Sequence, residues 1–297
     1  MKHFFTITTA LFAFSLFAFC SGGALAEEEF TSGIWGQGFQ TDAEQDSISG
    51  LPGYEYDTTG FIFGYDKVLG DKLVLGVNAG YHETDVDGDA GDISDINTFL
   101  IGAYGSYNFY PYYADFGLMF ARGDIDSKRN QNLITSSTNS NNYSLFMEFG
   151  KEIPITDIVN FIPVAGFTAN YVSIDGYTEE GATGQEMLVE ESDNFFFTSE
   201  LGLKSNITLS QNSYLKLSGL WAHEFSDDLH SAAKGRFVGT SDVIMMQGLD
   251  VGRDRGVFGI GLNFKPVKDI VLDIDYNFEV GEEFNAHTGT FTLKKLF

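Results

Sequence analysis

Apolar and polar side chains alternate, one residue at a time, along most of this chain. In IVLDIDYNFE, residues 270–279, every even-numbered position is apolar, and the odd-numbered ones include Asp273, Asp275 and Glu279. A repeat of two is the period of a β-strand, whose side chains point alternately to opposite faces. Helical spacing is almost absent, so the sequence predicts an all-β protein.

About twelve stretches carry this alternation. Most are longer than the roughly five or six residues of an ordinary soluble strand. They reach the roughly nine to eleven residues that a tilted membrane strand requires. The predicted strands are 33–42, 55–69, 72–85, 94–109, 112–125, 142–153, 159–176, 194–208, 213–226, 252–265, 269–281 and 287–297.

Short and long connections alternate between these strands. The short ones lie at 70–71, 110–111, 154–158, 211–212 and 266–268, and the longer polar ones at 43–54, 86–93, 126–141, 177–193, 227–251 and 282–286. Outer-membrane barrels have this arrangement, with short periplasmic turns and longer extracellular loops. The sequence therefore predicts a closed antiparallel transmembrane β-barrel of about 12 strands in a Gram-negative outer membrane, with both termini periplasmic.

The two faces of the predicted strands differ in the way that a membrane barrel requires. Outward positions must be apolar, because Lys or Arg at the bilayer midplane costs about 2–4 kcal/mol. The predicted outward residues are Phe61, Phe63, Tyr65, Leu73, Leu75, Val77, Tyr81, Phe116, Leu118, Phe120, Phe258, Ile260, Leu262 and Phe264. The predicted inward residues are small or polar, and they include Gly64, Asn78, Gly80, Gly259 and Gly261.

Eleven charged residues are predicted to line the bore. Paired with one another, they would brace the barrel as internal salt bridges. In an open pore, the excess of acids would favour cations among the small solutes and ions that pass. The candidates are Asp66, Asp115, Arg122, Glu148, Glu200, Lys204, Lys216, Arg253, Arg255, Asp273 and Asp275.

The first 26 residues have the layout of a secretory signal peptide. Lys2 precedes an apolar run at 10–20, and small residues at 24–26 offer a cleavage site after Ala26. The run is too short to anchor the chain as a helix. The predicted organisation is a cleaved signal (1–26), a short N-terminal segment (27–32) and the barrel domain (33–297). Cys20, the single cysteine, would leave with the signal, so no disulfide is expected.

The acidic character of the chain limits its partners. A formal net charge of −25 argues against nucleic acid, whose phosphates need clustered Lys and Arg. The acidic run at 85–92 is not an EF-hand loop, because Ala90 and Ile96 stand where that loop needs Gly and Glu. We expect solvated acids rather than a specific metal site, with Ca²⁺ or Mg²⁺ loosely bridging them to lipopolysaccharide.

Four histidines outside the predicted signal are candidate catalytic groups. They are His82, His223, His230 and His287. His82 has Glu83 and Asp85 near it, and His230 lies between Asp227-Asp228 and Ser231. A serine hydrolase needs a base in hydrogen-bond reach of the hydroxyl, and no Gly-x-Ser-x-Gly elbow is present. The sequence therefore predicts a protein without catalytic residues or a cofactor.

The chain ends on an aromatic residue. Phe291, Leu293 and Phe297 share a face that is predicted to contact lipid. The last strand must pair with the first, because an open sheet edge is not tolerated in hydrocarbon. A terminal aromatic is also the expected form of an outer-membrane sorting signal, and the barrel assembly machinery is the expected partner.

Six segments rich in aromatic residues and glycine follow one another along the chain. They are IWGQGF (34–39), TTGFIFGYDKVLGDKLVLGVNAGYHETD (58–85), GAYGSYNFYPYYADFGLMFARG (102–123), LWAHEF (220–225), GVFGIGLNF (256–264) and the closing TGTFTLKKLF. In their order and spacing, these segments resemble the autotransporter β-barrel domain, the twelve-strand translocator of type V secretion. The resemblance implies a translocator barrel in which the loop at about 227–251 often folds inward and would seal the pore. Two features depart from the family, since only 27–32 precede the first strand and Lys295 replaces a usual aromatic.

These features together predict an outer-membrane barrel that resembles a translocator domain but lacks a passenger. It would be a structural or pore-forming barrel at the cell surface. Two alternatives stay open: a translocator for a separately encoded passenger, and an outer-membrane hydrolase.

Overall fold

The structure is a computed structural model that describes residues 31–48, 51–181, 183–226, 232–247 and 252–297. All regular secondary structure in these ranges is β, and none of it is a helix that could cross a membrane. The strands are β1 (Gly33–Gln45), β2 (Tyr54–Leu69), β3 (Leu73–Gly88), β4 (Ile93–Phe109), β5 (Tyr112–Arg129), β6 (Ile134–Lys151), β7 (Ile153–Thr156), β8 (Val159–Ile174), β9 (Tyr177–Thr178), β10 (Glu180–Gly181), β11 (Met187–Val189), β12 (Ser192–Ser210), β13 (Ser213–Glu224), β14 (Ala232–Phe237), β15 (Ile244–Gln247), β16 (Asp254–Val267), β17 (Ile270–Gly281) and β18 (Phe284–Leu296). The predicted signal peptide lies outside the described residues.

Twelve long strands form one closed antiparallel ring, in the order β1, β2, β3, β4, β5, β6, β8, β12, β13, β16, β17 and β18. The ring closes where β18 returns to β1, from Gly33 opposite Leu296 to Gln45 opposite Phe284. Every long strand therefore has a partner on both sides, which leaves no ladder of free N–H and C=O groups facing lipid. The predicted closed barrel is confirmed.

The two ends of the barrel differ. At one end, here called the turn end, neighbouring strands are joined by 70–72, 110–111, 152–158, 211–212 and 268–269, and both Gly33 and Phe297 lie there. At the other end, the loop end, the connections are 46–53, 89–92, 130–133, 175–191, 225–253 and 282–283.

Three of the predicted long loops are wrong in extent. The segment predicted as a loop at 126–141 is mostly strand, because β5 and β6 stay paired as far as Arg129 and Ile134. The loops predicted at 86–93 and 282–286 shrink to 89–92 and 282–283 in the same way. Where the strands extend beyond the membrane at the loop end, both of their faces can contact water, so a run of polar residues does not end strand pairing there.

The described outward and inward faces follow the predicted alternation. In β2, Phe63 is 62% exposed on the outer face, whereas Ile62 is 1% exposed on the inner face. All the predicted outward residues are exposed or half-buried, and exposed apolar residues on the other long strands extend the same band around the barrel. Such a band is the surface that a barrel presents to hydrocarbon.

A second, smaller sheet was not predicted. It lies at the loop end, in the order β15, β14, β11, β9, and combines strands from the two longest connections. We call it the loop sheet. Met187, Val189, Ala233 and Met246 form a buried apolar cluster on it. The segment 227–251, expected as a loop, is therefore partly strand, although 227–231 and 248–251 lie outside the described residues.

Candidate functional site

The bore at the turn end holds a hydrogen-bonded group of four side chains from four strands. Trp35 donates its indole N–H to the hydroxyl of Tyr104 at 2.7 Å and to Asp66 at 3.2 Å. Tyr104 donates to the same Asp66 carboxylate, which also forms an ion pair with Lys294. Asp66 is 4% exposed. Because each buried polar group has a partner, this group links β1, β2, β4 and β18 across the closure of the barrel.

A second group lies on the opposite wall. Lys204 donates to both carboxylate oxygens of Glu148, at 2.6 and 2.7 Å, and Tyr113 donates to Glu148 at 2.8 Å. Asp115 stands directly across the β5–β6 pair from Glu148, and Glu200 is buried nearby on β12. Three acids therefore share one lysine, which gives this part of the bore a negative excess.

Two further ion-paired groups, one around Lys216 and one around Arg255, occupy the wall formed by β13, β16 and β17. Lys216 lies 2.9 Å from Asp273 and 2.6 Å from Asp275. Arg255 lies 3.1 Å from Glu279, and both side chains are 2% exposed. The acid partners sit on β17 in both groups, so basic residues of β13 and β16 neutralise the inward acids of β17.

Two of the predicted pore-lining residues are elsewhere. Arg122 lies on the outer face of β5, in step with Leu118 and Phe120, and is exposed. Arg253 precedes β16 at the loop end and is exposed, with a contact of 3.4 Å to the carbonyl oxygen of Glu224. Arg122 faces outward because side chains two residues apart in a strand share a face, and Phe120 precedes it by two on the outer face.

The bore is less polar than the sequence suggested. Near its middle, Phe39, Ile62, Leu100, Met119 and Ala121 form a buried cluster. Another apolar cluster fills the loop end and is built from Ala43, Tyr54, Tyr56, Val86, Ile96, Ile125, Val172, Ile174, Phe196, Phe284 and Ala286. Ile48 and Leu51 of the first loop pack against this second cluster. The inward apolar residues were not predicted, because apolar side chains in a membrane strand are expected on its lipid face.

A buried ion pair links the loop sheet to the barrel, beside the short pairing of β10 with β6. Arg129 of β5 donates to Glu179 at 2.7 and 2.5 Å, and Glu179 also accepts the backbone N–H of Met187 at 2.7 Å. Burial, reinforced by the nearby Glu179, raises the pKa of Tyr177 above its usual value. In the same loop, hydrogen bonds from Thr183 hold the pKa of Glu186 below its ordinary value.

Five aspartates stand in one row on the outer face near the loop end. Each is the direct cross-strand neighbour of the next, and the row runs across β1 to β5 as Asp42, Asp57, Asp85, Asp95 and Asp126. We call this row the aspartate ladder. All five are exposed. Among the described residues, no group of three or more His, Cys, Asp or Glu side chains is arranged to hold a metal ion.

The aspartate ladder lies just beyond a belt of exposed aromatic residues. Tyr143, Tyr171, Trp221 and Tyr276 are among the members of this belt on the outer face. Tyrosine and tryptophan concentrate where hydrocarbon meets headgroups, because their rings are apolar and their tips are polar. The belt therefore marks the membrane boundary on the loop-end side.

The histidines occupy different environments. His82 is buried in the bore, 3.4 Å from the Thr84 hydroxyl. On the outer face, His287 shares a hydrogen bond of 2.6 Å with Tyr276, and His223 donates from Nδ1 to Asp254 at 2.8 Å. His230 lies outside the described residues. The sequence did not single out the His223–Asp254 contact, because 31 residues separate the two and only the strand register brings them together.

The C-terminal residues that were predicted to contact lipid do point outward. Phe291, Leu293 and Phe297 are exposed on the outer face of the last strand and beyond it. The Phe297 ring stacks on Tyr65 with centroids 6.2 Å apart. Lys295 lies on the same face and pairs with Asp269, so the lysine that departs from the family pattern has a local partner.

Known proteins share this architecture. The translocator domain of the autotransporter NalP from Neisseria meningitidis superposes with a TM-score of 0.77 at 12% identity, covering 98% of this chain and 96% of that one. The transport unit of the autotransporter AIDA-I from Escherichia coli gives a TM-score of 0.70 at 12% identity, with 96% and 97% covered. At these identities the likeness concerns the fold alone.

Sequence comparison agrees with the fold. Outer membrane protein B of Rickettsia typhi is 22% identical over 92% of this chain, and the chain spans 18% of that protein's length. The sequence also matches the family model described as Autotransporter beta-domain over residues 34–277. The chain is an outer-membrane β-barrel that belongs to the autotransporter β-domain family.

Proposed function

We propose that the protein is a structural surface barrel of the outer membrane whose bore is closed at rest. One observation supports this most directly: Ile62 and Leu100, which point into the bore, are each 1% exposed. Side chains that line a water-filled pore would be wetted. The ion pairs of the bore then act mainly as internal braces, and cation passage would require the apolar clusters to move apart.

Planar-bilayer recording tests this proposal. The purified barrel should give no steady conductance, whereas the double substitution Ile62→Ala and Leu100→Ala should produce cation-selective steps. Phe63→Ala is the matched control, because it removes an aromatic ring next in sequence but on the lipid face. Steady steps from the unsubstituted protein would overturn the closed bore and favour a pore-forming role.

A translocator role is the second candidate, and the shared architecture with solved translocator barrels favours it. It includes the case of a separately encoded passenger. A reporter domain fused ahead of Gly33 should then become accessible to external protease on intact cells. The same reporter fused to an unrelated barrel of equal expression is the control, and a fusion that stays protected would count against translocation.

We also propose that the turn end faces the periplasm, which puts both termini there. The short turns support this, since outer-membrane barrels carry short turns on that side. Asp71→Cys at the turn end and Asn132→Cys at the loop end provide the test with a membrane-impermeant maleimide. In whole cells only the second variant should be labelled, and labelling of the first alone would reverse the orientation.

Lipopolysaccharide is the proposed partner of the loop-end outer face. The aspartate ladder beyond the aromatic belt supports a loose attraction of Ca²⁺ or Mg²⁺ that would bridge to lipid phosphates.

Phe297 is the proposed sorting signal for the barrel assembly machinery. Phe297→Ser should lower the amount of folded barrel in the membrane, while Phe264→Ser, on the same kind of lipid-facing surface, should lower it less.

A further inference from the structure

Three residues lie side by side on adjacent strands and point to the outer surface. Ser199 of β12 is the direct cross-strand partner of His223 of β13, and His223 is the partner of Asp254 of β16. The sequence separates them widely, so the row exists only because of the register. It holds the hydroxyl, imidazole and carboxylate in the order that nucleophilic catalysis requires.

The imidazole is already oriented by its partners. Its Nδ1 lies 2.8 Å from Asp254, and Trp221 donates its indole N–H to the same carboxylate oxygen at 2.9 Å. The ring of Phe225 packs edge-on against His223 with centroids 4.6 Å apart. Asp254 therefore fixes the tautomer in which Nδ1 carries the proton and Nε2 has a free lone pair.

The register places Ser199 beside the imidazole on the side away from Asp254. The two ring nitrogens are separated by one carbon, and Nδ1 is hydrogen-bonded to Asp254 on the β16 side, which leaves Nε2 as the nitrogen that could accept from a serine. Directly opposed residues of an antiparallel pair have Cβ atoms about 4.5–5.5 Å apart. The structure shows no hydrogen bond between the described side chains of Ser199 and His223, so catalysis would require a Ser199 rotamer that brings its hydroxyl to Nε2; catalytic hydrogen bonds are often long or absent in apo structures.

The site has the surroundings of a lipid-processing centre. Side chains of His223 and Asp254 are 24% and 61% exposed on the outer face, and Trp221 belongs to the aromatic belt at the membrane boundary. Acyl ester bonds of membrane lipids lie at the same depth as such belts, between headgroup and hydrocarbon. Arg253, exposed and adjacent to Asp254 in sequence, adds a positive charge beside the row.

We propose that Ser199, His223 and Asp254 form an esterase site that opens to the bilayer and takes acyl esters of membrane lipids as substrate. Ser199 and His223 are the catalytic residues, and Asp254 positions the imidazole. This inference is independent of the closed bore, because the site lies on the opposite face of the barrel wall.

The reaction proceeds through an acyl-enzyme. Ser199 Oγ forms a bond to the ester carbonyl carbon while its proton moves to His223 Nε2. The carbon–oxygen bond to the lipid alcohol then breaks, and the imidazolium returns its proton to the departing alkoxide. Water repeats the sequence on the acyl-Ser199 ester, with His223 again accepting and donating the proton, and releases the free fatty acid.

A fluorophosphonate probe tests the nucleophile directly. The full-length barrel in detergent micelles should be labelled at Ser199, as located by mass spectrometry, and should release fatty acid from phospholipid in mixed micelles. Ser199→Ala should abolish both, and His223→Asn should lower both by at least about 100-fold, the usual contribution of a general base. Asp254→Asn should lower kcat with little change in KM, and Asp254→Glu should restore part of kcat.

Matched controls separate this from loss of folding. Ser173→Ala removes an outward serine of the neighbouring strand whose partners are Asn141 and Asp193 rather than a histidine, and it should leave labelling and hydrolysis unchanged. All variants should keep the faster gel migration of an unboiled barrel. A folded wild-type protein that is neither labelled nor active, or a Ser199→Ala variant that hydrolyses as well as the wild type, would overturn the proposal.

Discussion

Lys204 of β12 and Glu148 of β6 reach each other across the intervening strand β8 and are joined by two hydrogen bonds of 2.6 and 2.7 Å. Glu148 is almost fully enclosed, and Asp115 and Glu200 lie close by without a lysine of their own. The ammonium group is thus the cation that offsets a buried acidic cluster.

Removal of that cation should destabilise the barrel strongly. Lys204→Met leaves Glu148 buried beside two other acids, and loss of one partner of a buried pair costs about 3–5 kcal/mol. We expect a loss of about 3 kcal/mol in guanidinium unfolding in micelles. Lys67→Met, which removes an exposed lysine of β2, is the control. The double substitution Lys204→Met and Glu148→Gln should recover most of the loss, and an unchanged midpoint for Lys204→Met alone would contradict the argument.

The second prediction concerns Gly76, which lies directly opposite Tyr104 on the adjacent strand. A Cβ added to Gly76 would overlap the Tyr104 ring, whose hydroxyl accepts from Trp35 and donates to Asp66. Gly76→Ala should therefore displace the ring, break this hydrogen-bonded group and reduce the fraction that folds. The measurement is the proportion of fast-migrating barrel on an unboiled gel after refolding.

Gly38 offers a matched control for this effect. A Cβ at Gly38 meets nothing within 4 Å, so Gly38→Ala should fold as the unsubstituted chain does. If Gly76→Ala and Gly38→Ala fold equally well, the close fit of Tyr104 against the backbone is not required.

The alternation of side chains within each strand was sufficient to predict the barrel. One side of each strand faces the bore and the other faces lipid, so successive residues must suit two different environments. The same alternation would have assigned Arg122 correctly, since counting by twos from Leu118 reaches it on the outer face. Contacts between residues that are far apart in the sequence could not be predicted in this way. The aspartate ladder, the loop sheet and the row from Ser199 to Asp254 all depend on register, and the sequence of a single strand does not specify the register of its neighbours.

The aspartate ladder should destabilise the barrel at low ionic strength. Like charges directly opposite each other on adjacent strands are unfavourable, and Asp57 has an aspartate on both sides. Asp57→Asn should therefore raise the melting temperature in low salt, with a gain that shrinks as salt screens the charges. Mg²⁺ should stabilise the unsubstituted barrel more than the variant. Asp71→Asn at the turn end is the control, and an equal response to Mg²⁺ in all three proteins would argue against any role of the ladder in cation attraction.

The ion pair between Arg129 and Glu179 should decide how firmly the loop sheet is held. Glu179 accepts from Arg129 and from the backbone of Met187, so Glu179→Ala frees both the barrel strand and β11 at once. We expect faster cleavage by trypsin at Lys234 and Arg236, which are exposed on β14, with the barrel itself left intact. Glu180→Ala changes the adjacent, exposed glutamate and should not alter the cleavage rate. Equal rates for Glu179→Ala and the unsubstituted protein would mean that the apolar cluster of Met187, Val189, Ala233 and Met246, together with the β10–β6 pairing, holds the sheet without help from the ion pair.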